Sequence, residues 1–208
     1  MLTRSDETVV DCLETWNAIE RVGLHHAGFK DVGVDIATLV ELNKRMQAAG
    51  VTTYLEVVST SAEGCLQSCR AAVEIGVNRL MGGTQVDEAL RIVEGSGIDY
   101  LPFPGLPVGH PTRLGGDADL IERHCKDFES RGCAGVDLLA YRATDAEPLD
   151  LVRCPPRHHG ASGRGRQRLD GDTDRRSPRD RSRRIHDWLS GVRRIVLTQQ
   201  GQHRVAAA

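Results

Sequence analysis

Two hundred and eight residues, 39% of them apolar and 27% charged, suit one soluble globular domain and exclude collagen-like or wholly disordered chains. The formal net charge of −2 averages two unlike parts. Residues 154–208 carry thirteen Arg, five Asp and neither Lys nor Glu, a surplus of +8, whereas residues 1–153 hold fourteen basic and twenty-four acidic side chains, a balance of −10.

No apolar run approaches eighteen residues, so no membrane span is expected. The opening MLTRSDETVV has neither the basic nor the apolar region of a signal peptide, which makes the cytoplasm the expected compartment. Six cysteines stand at 12, 65, 69, 125, 133 and 154 with no CxxC pair and no zinc-type Cys/His spacing. They read as small buried thiols, and no metal site is expected.

The stub MLT reads as the end of a first strand, and residues 9–22 as the first helix. From there a helix ending in Gly is followed at once by an apolar strand five times. The junctions are Gly23-LHHAGFKD, Gly50-VTTYLEVV, Gly76-VNRLMGG, Gly97-IDYLPFPG and Gly132-CAGVDLLAYR. Their spacings of 27, 26, 21 and 35 residues are those of repeated βα units. The stretches IATLVELNKRMQAA and DADLIERHCKDFESR between strands carry apolar residues at helical spacing. Asp35, Thr60, Thr84, Asp117 and Thr144 occupy N-cap positions, and Glu63, Asp87 and Glu147 follow their threonines by three, as in a capping box. Alternating βα units predict a parallel sheet covered by helices. Six such units fit residues 1–153, so the expected fold is an α/β (β/α)8 TIM barrel, incomplete as written because the full barrel takes roughly 250 residues.

Residues 154–208 read as a separate Arg-rich tail. RGRQRLDGDTDRRSPRDRSRR cannot bury a core, which suits a disordered segment. A nucleic-acid-binding tail held by phosphate contacts is a second reading. The third, preferred here, is a shifted reading frame. GC-rich codons for this stretch, read one base later with free wobble bases, can encode one strand-like segment ending AGS and another ending TIGS. Those would be the seventh and eighth strands. Without them the chain as written is expected to be unstable and inactive.

MLTRSDETV, GFKDVG, LEVVS, LMGGT, PFPG, VGHP and DLLAYR resemble a small bacterial TIM-barrel family akin to the ribulose-phosphate-binding barrels. The resemblance covers about residues 1–153. It implies a (β/α)8 barrel related to sugar-phosphate epimerases, decarboxylases and phosphoribosyl isomerases. Some members of the family are labelled 4-hydroxythreonine-4-phosphate dehydrogenase, which makes an oxidoreductase the alternative. No GxGxxG follows a strand. The resemblance also implies a start a few residues earlier, with Met1 inside the first strand.

In such a fold the site lies at the C-terminal ends of the strands. Polar residues expected there are Lys30, Asp31, Glu56 and Asp137 as catalytic candidates, with Gly82, Gly83, Thr84, His110 and Arg142 as substrate-binding candidates. Lys30 suits a phosphate clamp, a Schiff base or an ion pair with Asp31 or Glu56. Glu56 in YLEVV and Asp137 in GVDLLAY are carboxylates inside apolar strands, where an unpaired charge is costly. Two carboxylates near one lysine suit proton transfer beside a carbonyl. Gly82 and Gly83 allow close backbone approach to a ligand or a tight turn. His110 sits in a Gly/Pro-rich loop long enough for a lid. Arg142 suits bidentate capture of phosphate or carboxylate, but its parity is opposite to Asp137 unless the strand has ended by then. His25 and His26 begin a strand at the far end and read as structural. The expected chemistry is acid/base isomerisation, epimerisation or lysis of a small phosphorylated metabolite without a redox cofactor. A nucleic-acid partner is the less favoured alternative, and the oligomeric state stays open.

Overall fold

The computed structural model describes residues 1–109, 111–152 and 195–197. The chain opens with an antiparallel hairpin of β1 (Thr3–Arg4) and β2 (Glu7–Thr8), followed by α1 (Cys12–Ile19) and a 3-10 turn over Glu20–Val22. The expected first helix is thus shorter than 9–22. The opening stub does lie along a strand, since Leu2 N donates to the Gly28 carbonyl at 2.7 Å, but Thr3 and Arg4 then turn back on Glu7 and Thr8.

Next come β3 (His26–Lys30), α2 (Ile36–Ala48), β4 (Thr52–Glu56), α3 (Ala62–Ile75), β5 (Arg79–Met81), α4 (Val86–Val93) and β6 (Asp99–Leu101). The four strands pair in sequence order and all in parallel, which makes the protein a mixed α/β fold around a parallel sheet. A second antiparallel hairpin follows, β7 (Leu106–Val108) with β8 (Arg113–Gly115), then α5 (Ala118–Ser130) and β9 (Val136–Leu138). The chain continues through a 3-10 turn at Ala140–Arg142 into α6 (Pro148–Val152).

β9 lies beside β6, with Ala134 N on the Tyr100 carbonyl and Asp137 N on the Pro102 carbonyl, both at 3.0 Å. Within the stretch expected to supply no strand, β10 (Ile195–Leu197) pairs in parallel with β9. The remainder of residues 153–208 lies outside the described residues, as does His110. No helix among the described residues is long and apolar enough to cross a membrane.

The helices form because their apolar residues repeat at helical spacing. α2 buries Leu39, Leu42, Asn43 and Met46, and α5 buries Ile121, Cys125 and Phe128. Asp35 and Asp117 cap α2 and α5 by accepting from the amides of Thr38 and Leu120. α3 is capped one residue later than expected, by Ser61 rather than Thr60, through the Gly64 amide. Thr84 does not cap α4, whose N-cap position falls on Gln85. Thr144 caps nothing either; it holds the Leu114 carbonyl through its amide at 2.9 Å, tying β8 to the turn after β9. At the other end of α3, Gly76 adopts the left-handed conformation expected of it. Buried Asn43 reaches from α2 to the carbonyls of Ile75 and Gly76 at 2.9 and 3.1 Å, which satisfies two groups that a helix end leaves without partners.

Strand register sorts the side chains by face. Phe29, Leu55, Leu80 and Tyr100 are neighbours across the sheet and join the main apolar cluster with the helices. The alternate row is Lys30, Glu56, Met81 and Leu101, all buried but outside that cluster. One face of the sheet therefore packs on helices, and the other carries charge at its C-terminal edge.

Candidate active site

Lys30 is the last residue of β3 and Glu56 the last of β4, and the register sets them directly opposite each other. The Lys30 ammonium donates to Asp6 Oδ1 at 2.7 Å and lies 3.6 Å from Glu56 Oε1. All three side chains are almost fully buried. Asp6 was not among the sequence candidates. It comes from the β1–β2 turn, where Ser5 (φ 52°) and Asp6 (φ 66°) are both left-handed, the geometry of a two-residue type I′ hairpin. Non-glycine residues in that region store strain, and such strain clusters where a side chain must be aimed. The only signal in the sequence was a short polar turn between Thr3 and Thr8.

The hairpin is sewn onto β3. Thr8 Oγ1 donates to the Lys30 carbonyl at 2.7 Å and accepts from the Lys30 amide at 2.9 Å, and Thr8 N donates to Val32. Gly33, at φ 101°, leaves no room for a side chain, because a Cβ there would overlap the Thr8 carbonyl.

Glu56 is held above the usual carboxylate range. Burial is the largest cause; the Lys30 ammonium opposes it, the Asp6 charge adds to it, and the Arg142 guanidinium opposes it more weakly. Its second oxygen, Oε2, is buried with no hydrogen-bond partner among the described residues. A carboxylate raised by burial, with one oxygen uncommitted, is suited to take and return a proton. Buried ion pairs seldom add net stability, because desolvation offsets the attraction, so the cluster is poorly explained as a structural device.

Asp137 is fully buried in the middle of β9. The strand ends at Leu138 and a 3-10 turn carries the chain on, so the parity conflict between Asp137 and Arg142 does not arise. Arg142 donates to the Thr112 carbonyl at 3.0 Å, which holds the β7–β8 hairpin, while its charge also reaches Glu56.

Asp31 is not part of this cluster. One residue beyond Lys30, it faces α3 and accepts from Ser68 at 2.5 Å. Gly82 and Gly83 are both left-handed, at φ 86° and 77°, and their missing side chains are replaced by protein. The Phe103 ring occupies the space at Gly82 and the Cys65 sulfur that at Gly83. Packing accounts for the missing side chains, while the Gly83 backbone lines the pocket at this end of the sheet. Gly83 and Thr84 lie with Ser59, Thr60, Gln85 and Thr112 around a small solvent-open pocket at the C-terminal ends of β4 and β5. Ser59 and Thr60 were not expected to line a site; their hydroxyls are unremarkable in sequence because a cap position explains them equally well.

Behind Gly83, Cys65 is held below the usual thiol range, chiefly by a hydrogen bond from Cys69, with the Gln85 and Thr84 amides adding to it; burial opposes. The five described cysteines are free, and four are buried, as a structural role requires. His26 begins β3 at the opposite end and is hydrogen-bonded to the Tyr54 hydroxyl at 3.1 Å, consistent with a structural part. Among the described residues no group of three or more His, Cys, Asp or Glu side chains is placed to hold a metal ion.

Neither a family model nor a curated protein matches this chain.

Proposed function

We propose that this chain is an acid/base enzyme of the isomerase, epimerase or lyase type acting on a small phosphorylated metabolite. The observation that carries the reading is the buried Lys30, gripped by Asp6 and facing Glu56 across neighbouring parallel strands. In this reading Glu56 moves the proton, Lys30 stabilises the negative charge that develops on the adjacent carbonyl oxygen, and Arg142 and the hydroxyl-lined cavity hold the phosphate. No redox cofactor takes part. The scaffold is a (β/α)8 barrel. Support comes from the neighbour order of Leu2, β3, β4, β5, β6, β9 and β10, which follows the chain and leaves the charged edge on the side where barrel sites form.

The test is proton exchange. Incubated in heavy water with a panel of ketose and aldose phosphates, the frame-restored protein should incorporate deuterium at a carbon beside a carbonyl, and E56Q should lower this by about 10²–10⁴-fold. Oxidation of a hydroxy compound coupled to nicotinamide reduction, with no such exchange, would favour the dehydrogenase instead. The same reading holds residues 154–208 to be out of frame and the chain as written to be unstable and inactive. Resequencing the DNA across codons 145–165 checks this: a missing or extra base restores the frame and directs the exchange assay to the corrected protein.

A further inference from the structure

Resting on the reading of this cluster as an active site, we propose that Asp6 is its positioning residue, holding the Lys30 ammonium off Glu56 so that the Glu56 carboxylate stays uncommitted for substrate. The distances show the outcome of a competition. Asp6 and Glu56 both face one ammonium, and Asp6 has the hydrogen bond at 2.7 Å while Glu56 is left at 3.6 Å, outside hydrogen-bond reach. Glu56 Oε2 has no hydrogen-bond partner among the described residues, and Oε1 keeps only the longer 3.6 Å ion pair with Lys30.

The backbone is arranged to produce that result. Two consecutive non-glycine residues are left-handed at the turn, and the strain is held by the paired Thr8–Lys30 hydrogen bonds and by the Thr8 amide on Val32. A turn built only to reverse the chain would carry Gly at the second position. Asp at that position costs backbone energy and returns a carboxylate aimed at Lys30. With Asp6 absent, the Lys30 side chain is free to swing onto Glu56, which sits directly across the register. Glu56 would then be tied up as an ion-pair partner rather than poised as a base.

Among the described residues, the charged groups acting on Glu56 are Lys30 from β3, Asp6 from the hairpin and Arg142 from the turn after β9. Removing Asp6 takes away a negative charge and hands over a positive one. Both changes favour ionised Glu56.

The experiment is a carbon-13 titration of the full chain labelled at the glutamate side-chain carboxyl, with the Glu56 signal assigned from E56Q. D6N and D6G are the variants; Gly is the residue this turn position prefers, so D6G removes the carboxylate while relieving the backbone. The Glu56 midpoint is expected to fall by at least about one pH unit, tenfold in proton affinity, in both variants. An unchanged or higher midpoint would overturn the proposal, because burial alone would then set Glu56. Failure of both variants to fold would also overturn it, making Asp6 a structural ion-pair partner. The titration needs no substrate: a Glu56 shift together with no proton exchange in the frame-restored protein would sink the proposed function and leave the Asp6 assignment standing.

Discussion

The Thr8 hydroxyl closes two hydrogen bonds on the Lys30 peptide, donating to its carbonyl at 2.7 Å and accepting from its amide at 2.9 Å. One side chain thereby fixes the strand end that carries the lysine and the hairpin that carries its partner. Thr8 is buried, so T8V keeps the shape while leaving both peptide groups without partners in a dry site. Each such loss costs roughly 1–3 kcal/mol. T8V should lower the urea midpoint by the equivalent of about 2–4 kcal/mol, and T8S should recover much of it. An unchanged midpoint in T8V would show that the hairpin is not held by this pair.

Lys30 is the cation that makes two buried carboxylates tolerable. K30M keeps the length and apolar stem of the side chain but leaves Asp6 and Glu56 facing each other without it. Breaking a buried pair by removing one partner costs about 3–5 kcal/mol. The loss should be largest at pH 7 and smaller at pH 5, because Glu56 is already biased toward its protonated form. Denaturant titrations at the two pH values measure this; equal losses at both would mean that the carboxylates do not feel each other.

Much of the scaffold is legible from residues alone, and the reasons are local. Gly76 and the apolar run after it mark a helix end and a strand because a left-handed cap and a buried parallel strand each demand particular residue types. Asp35 and Asp117 are legible as caps for the same reason. Thr60 misleads because Ser61 beside it serves equally, and backbone geometry, invisible in the sequence, decides between them. The two hairpins are not legible: Thr3–Thr8 has too few residues for a period, and Leu106–Gly115 carries the Gly and Pro of an ordinary loop. Lys30 and Glu56 stand out in the sequence as charges within apolar strands, whereas the partner the Lys30 ammonium holds is Asp6 rather than the neighbouring Asp31. Asp31 is next to Lys30 in sequence but faces α3, and Asp6 is twenty-four residues away but touches the ammonium.

Gly83 separates packing from ligand approach. Its φ of 77° strains any residue with a Cβ, and that Cβ would overlap the Cys65 sulfur. G83A should therefore destabilise by about 2 kcal/mol or more. In a C65A background the sulfur overlap is gone and the backbone strain and the Tyr100 hydroxyl at 3.3 Å remain, so the same substitution should cost about 1 kcal/mol less. A double-mutant cycle on urea unfolding reads the coupling. No coupling would show that the Cys65 sulfur does not set the cost of a side chain at Gly83.

The raised Glu56 has a consequence for stability that runs opposite to the usual carboxylate. Its folded pKa lies above the unfolded value of 4.5, so the native state favours the protonated form. The stability this preference contributes is fully present below 4.5 and is lost as pH rises through the higher, folded value. At pH 7 an ionised Glu56 thus weighs against folding. E56Q, which keeps the shape without the charge, should raise the melting temperature at pH 7, and the gain should shrink as pH falls toward 4.5. The same variant removes the base and should lower proton exchange by about 10²–10⁴-fold. Melting curves between pH 4.5 and 8 provide the check. A variant less stable than the parent across that whole range would mean that the ion pair with Lys30 outweighs burial, which would also remove the basis for treating Glu56 as a poised base.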